Sequence, residues 1–143
     1  MTVKQLSVFL ENKPGRLAEL TKALRQNGID MRAMSIADAP DFGIARVIVD
    51  DPYEAACVLK DAGYVLSVTP VLAVAIPDEA GSLYEILRVL GENEINLEYT
   101  YAFPTAKKGQ ALMIFRVENN EKAIEALSGL SIVPLCQDAI NQL

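Results

Sequence analysis

The chain has 143 residues, 22% of them charged, with a formal net charge of -6 and no histidine. That length allows one ordinary domain or two small ones, and the acidic balance repels phosphate backbones, so nucleic acid is not an expected partner. Without histidine there is no Ser-His or Cys-His relay, and the two cysteines, Cys57 and Cys136, lack neighbours at metal-ligand spacing and read as buried thiols.

No apolar run reaches the roughly 18 residues of a membrane span, and the first residues lack the unbroken apolar core of a signal peptide, so a cytoplasmic chain is expected. Leu6, Val8 and Leu10 alternate with Ser7, Phe9 and Glu11, the period of a first strand. Pro14-Gly15 punctuates it. Leu17, Leu20 and Leu24 then fall on one helical stripe, which predicts a helix from Pro14 to a stop at Asn27-Gly28. A second strand is expected over 29–38, a turn at Pro40-Asp41-Phe42-Gly43, and a third strand over 44–49, the two strands forming a hairpin. Residues 50–63 read as a second helix, and 64–68 as a short closing strand.

The pattern then repeats. Leu6, Val8 and Leu10 recur 66 positions later as Leu72, Val74 and Ile76, and Leu17, Leu20 and Leu24 as Leu83, Ile86 and Leu90. Asn27-Gly28-Ile29-Asp30 becomes Asn93-Glu94-Ile95-Asn96. Across the hairpin the offset grows to 68, placing Ala55, Ala56 and Leu59 on Ala123, Ile124 and Leu127, and it is expected to return to 66 at Gly63 and Gly129. One register kept through two apolar patterns marks an internal duplication. Each half reads strand, helix, strand, strand, helix, strand. The expected fold is therefore α+β, two ferredoxin-like βαββαβ units over residues 1–69 and 70–143, packed side by side with helices on one face. Pairing of exposed edges would give an antiparallel sheet of about eight strands.

Few motifs carry chemistry. No GxxxxGK[ST] or GxGxxG segment offers a nucleotide cradle, so no cofactor is expected, and Asp41-Phe42-Gly43 reads as a hairpin turn. Asp50-Asp51 and Asp78-Glu79 sit at strand and helix boundaries, where carboxylates serve as solvated caps. Leu97, Tyr99, Tyr101 and Phe103 are expected on one face of a strand, with Glu98, Thr100 and Ala102 on the other. The Pro14-Gly15 helix start is the feature that invites a ligand. Its first-turn amides lack partners and sit at the positive end of the helix dipole, an arrangement that attracts carboxylates.

The alternating strand, Asn12-Lys13-Pro14-Gly15-Arg16-Leu17, the amphipathic helix and Asn27-Gly28-Ile29-Asp30 resemble the ACT domain, a βαββαβ regulatory module that binds amino acids. The whole chain is similar to stand-alone tandem ACT-domain proteins, with Pro77-Asp78-Glu79-Ala80-Gly81-Ser82-Leu83 as the less faithful second loop. The resemblance implies a non-catalytic sensor that binds a free amino acid between two modules. Asn12 would supply the loop asparagine and Asn96 the second-strand asparagine. The carboxylate would rest on the amides from Gly15 to Leu17, with Lys13, Pro14 and Arg16 around it. The reciprocal combination of Asp30, Asp78 and Glu79 is acidic throughout and is expected to bind an amino acid weakly or not at all. Regulation implies a partner enzyme or an oligomer, with a homodimer as one form. The alternative is a structural or interaction module that has kept this fold and lost the ligand.

Overall fold

A computed structural model describes residues 1–105 and 107–143. The chain divides into two compact units, one of Lys4–Thr69 and one of Met1–Val3 with Pro70–Leu143. The first is built from β1 (Val3–Glu11), α1 (Arg16–Gln26), β2 (Met31–Asp38), β3 (Phe42–Val49) and α2 (Pro52–Asp61). β4 (Leu66–Pro77) contains the division, and α3 (Ser82–Glu92), β5 (Leu97–Phe103), β6 (Gln110–Val117), α4 (Asn120–Ser128) and α5 (Gln137–Asn141) complete the second unit.

In the first unit β3 pairs antiparallel with both β1 and β2. Alternation sends Leu6, Val8 and Leu10 of β1 and Ala45, Val47 and Val49 of β3 to the face where Leu20 and Leu24 of α1 and Leu59 of α2 pack, forming one apolar core. The second unit repeats this. β6 pairs with β4 and β5, and Leu72, Val74, Phe115 and Val117 meet Ile86, Leu90 and Leu127. The turns repeat as well. Asn12 N–H donates to the Asp41 carbonyl at 3.3 Å, and Asp78 N–H to the Gly109 carbonyl at 3.0 Å.

Six strands form among the described residues where about eight are expected. The strands expected over 64–68 and 72–76 are one continuous β4, which runs through Pro70; a proline is tolerated wherever the ladder does not call on its missing N–H. The last expected strand is not formed. After α4 the chain makes one backbone bond to β4, from Leu135 N–H to the Ala73 carbonyl at 2.7 Å, while Pro134 can donate none, and it passes instead into α5, which the periodicity does not announce.

Four finer expectations also need correcting. The helix begins at Arg16 rather than Pro14, because Gly15 at its N-cap takes a left-handed conformation at φ 82°. The offset of 68 persists beyond α2: Tyr64 N–H donates to the Leu59 carbonyl at 2.9 Å, and Ile132 N–H to the Leu127 carbonyl at 3.2 Å. Gly63 therefore corresponds to Ser131, both at positive φ (89° and 57°), not to Gly129. Leu97 does not share the face of Tyr99, Tyr101 and Phe103. A bulge shifts the register from Leu97 opposite Val117 to Tyr99 opposite Arg116, so Leu97 packs in the helix-side core while Tyr99 faces away from it. The same shift separates Met31 from Ala33 in β2. Both cysteines are free and half-buried rather than buried.

A candidate ligand site at the β1–α1 loop

The loop that follows β1 is held at both ends. Lys13 N–H donates to the Glu11 carbonyl at 2.9 Å, and the first intrahelical bond runs from Glu19 N–H to the Gly15 carbonyl at 3.0 Å. Gly15 sits at φ 82°, a conformation that strains an L side chain's Cβ, so glycine is the favoured residue for the reversal. No side chain caps α1. The Arg16 N–H donates to the Lys13 carbonyl at 3.4 Å, so the first-turn amides beyond it are the ones left to an anion.

Asn12, Lys13, Arg16 and Leu17 line one cavity of about 110 Å³, whose apolar wall is Leu10, Leu17 and Ile36. Pro14 and Gly15 are not in its lining; they form the turn that aims the others. The Asn12 side-chain amide donates to the Ala39 carbonyl at 3.3 Å, which ties the loop to the end of β2 and leaves Oδ1 as an acceptor. Glu11, Asp38 and Gly43 complete the lining. Ile36, Asp38 and Gly43 escape a reading of the sequence because their place here depends on the β2 bulge and the hairpin register. Asp38 lies opposite Gly43, which in turn lies opposite Leu10. Across adjacent strands that row spans roughly 10 Å.

The loop's positive charge is largely spoken for. Lys13 pairs with Glu11 at 2.8 Å, and Arg16 reaches Glu19 at 3.0 Å and Glu11 at 3.7 Å. The Lys13 ammonium, hydrogen-bonded to Glu11, and the nearby Arg16 guanidinium hold the Glu11 carboxyl below its ordinary value of 4.5. The hydrogen bond to Glu19 and the Glu11 charge bind the Arg16 proton more firmly still. All four groups are largely exposed, so water screens the pairs and an incoming carboxylate can compete for either cation.

Asn96 lines a separate cavity of about 380 Å³ in the second unit, beside Glu94, Glu118, Asn119 and Lys122. Asp30 is ion-paired to Arg32 at 3.3 Å. Asp78 and Glu79 are exposed in the turn before α3, where Gly81 at φ 92° reproduces the backbone of Gly15 without its cations. Asp51 is the helix cap expected of it, accepting from Glu54 N–H at 2.9 Å, and the Asp50 carboxylate accepts from the N–H groups of Asp30 and Asp51. Among the described residues no cluster of three or more His, Cys, Asp or Glu could hold a metal ion. No helix among them is long and apolar enough to cross a membrane.

Compared with known proteins, the chain matches the ACT domain pair over residues 1–134. Its structure is similar to that of protein BT0572 from Bacteroides thetaiotaomicron, at 37% identity and a TM-score of 0.92, covering 100% of this chain and 98% of the other. It shares its fold with the ligand-free regulatory subunit of aspartate kinase from Thermus thermophilus at 18% identity and a TM-score of 0.66, covering 88% and 90% of the two chains. The regulatory subunit of aspartate kinase from Thermus flavus gives 17% identity, a TM-score of 0.63 and the same coverage. No match is found among the curated proteins. The repeat, the two βαββ-type units and the loop geometry agree with the family match, and the chain belongs to the ACT domain pair family.

Proposed function

We propose that this protein is a non-catalytic regulatory module that binds a free amino acid at the β1–α1 loop of its first unit. The observation that carries the reading is the meeting of Asn12, Lys13, Arg16 and Leu17 around one cavity, next to a helix start whose amides no side chain caps. The ligand carboxylate rests on the first-turn amides from Leu17 onward, with Arg16 or Lys13 exchanging a protein carboxylate for it. The ammonium is taken by Asn12 Oδ1 and neighbouring oxygens. The ACT membership supports this assignment, since the domain is a regulatory one. The part the resemblance gives to Asn96 is a further proposal, and Asn96→Ala tests it. At the second loop Asp78 and Glu79 stand where Asn12 and Lys13 stand in the first, and a carboxylate ligand is disfavoured there by like charge.

So small a ligand is held by roughly 4 to 8 kcal/mol, corresponding to micromolar to millimolar dissociation constants. Its effect on a partner enzyme or on self-association follows from any preference for one conformation over another. Titration calorimetry of the intact chain against the twenty amino acids tests the reading. Heat with at least one of them is expected, lost in Asn12→Ala and kept in Asp78→Ala. No heat with any amino acid contradicts the reading and leaves an interaction module in its place.

A further inference from the structure

Two features of the first-unit cavity go beyond the loop itself. One is Asp38. It ends β2, lines the same space as Arg16 and Lys13, and has no ion pair with any described residue. The hydrogen bond from Asn12 to the carbonyl of the next residue, Ala39, places the Asn12 side chain beside the end of β2 that carries Asp38. The other is the wall of Leu10, Leu17 and Ile36, closed by the bare backbone of Gly43. A Cβ built on Gly43 would stand 3.3 Å from the Ala37 carbonyl oxygen and 3.8 Å from Ile36 Cγ2, so a methyl group here would press on the backbone of β2 and narrow the lining.

Resting on the amino-acid reading above, we propose that the cavity selects a short aliphatic α-amino acid, with Asp38 as the counter-ion of its ammonium group. Cations on the loop side and a carboxylate on the β2 side give a zwitterion opposite charges at opposite ends. The apolar wall between them takes a side chain. A volume of about 110 Å³ is smaller than the roughly 150 Å³ that encloses a benzene ring, and the apolar wall favours a short aliphatic side chain over an aromatic one. The repeat sharpens the point. In the second unit Asp38 is replaced by Pro104, Ile36 by Ala102, Gly43 by Ala111 and Arg16 by Ser82, so the charged groups of the pocket are missing at the corresponding positions although Ile76 and Leu83 keep part of its apolar wall.

The test is calorimetry of the intact chain with L-valine, L-alanine, L-phenylalanine and 3-methylbutanoate, which is valine without its amino group. L-valine or L-alanine is expected to bind at least about tenfold more tightly than L-phenylalanine, within the range set by steric exclusion from an apolar pocket. Asp38→Asn is expected to weaken L-valine at least about tenfold and to leave 3-methylbutanoate unchanged or slightly tighter, because the variant removes a charge that only the ammonium uses. Gly43→Ala adds the missing methyl and is expected to shift the preference from L-valine towards L-alanine. If an amino acid binds in an Asn12-dependent manner but Asp38→Asn has no effect, or L-phenylalanine binds more tightly than L-valine, the selectivity proposal is overturned and the amino-acid reading stands. If no amino acid binds at all, both fall.

Discussion

Gly15 concentrates what a single residue contributes. With φ at 82° and nothing within 4 Å of a Cβ placed on it, Gly15→Ala meets no clash and suffers only the left-handed strain of an L residue, about 1–2 kcal/mol. Urea unfolding should show that loss, and equally for Gly81→Ala at φ 92°, whereas amino-acid binding should weaken only in the first variant. Charge at the loop makes a second prediction. Glu11 has a folded pKa depressed below 4.5, so its contribution to stability is present above its unfolded value and is lost as pH falls through the folded one. Removing the main cause, as in Lys13→Ala, should raise the Glu11 titration midpoint towards 4.5, read from its carboxyl carbon shift; an unmoved midpoint would exclude the pairing. The glycine was legible in the sequence as a place where a ligand can approach backbone. Its positive φ was not, because Pro14-Gly15 fits equally well with proline as the first helical residue.

At the scale of elements, the repeat exposes where the second copy departs from the first. Gly28 and Gly63 end their helices at positive φ, and the corresponding residues are Glu94 at φ 55° and Ser131 at φ 57°. Glycine at either position relieves the left-handed strain, partly offset by the greater conformational entropy it gives the unfolded chain. Glu94→Gly and Ser131→Gly should thus each stabilise by about 0.5–1 kcal/mol in chemical denaturation. α5 makes a separate case: Ile140 is fully buried although its helix has only five residues, and Ile140→Ala should cost about 2–4 kcal/mol if the C-terminal segment is part of the folded unit. Helices and hairpins can be read in advance because apolar spacing repeats within them. The bulges at Arg32 and Glu98 cannot, since one unpaired residue changes which face its neighbours occupy without changing the composition. Strict alternation therefore puts Leu97 beside Tyr99, and it gives no sign that Ile36 and Asp38 line a cavity.

For the molecule as a whole, duplication has kept the backbone and divided the chemistry. The two β–α loops share their left-handed glycine and their turn hydrogen bonds, yet one presents Asn12, Lys13 and Arg16 and the other Asp78, Glu79 and Ser82. Asymmetry of this kind is visible in the sequence as soon as the offset is known, because it depends only on residue identity. The Glu11 and Glu19 partners that occupy Lys13 and Arg16 are not, since they depend on where the loop returns in space. The central claim is that one copy binds and the other does not, and the stoichiometry of titration with the tightest amino acid measures it most directly. One ligand per chain, abolished by Asn12→Ala, is the predicted result. Two equivalent sites per chain, or one site that survives Asn12→Ala, would contradict it.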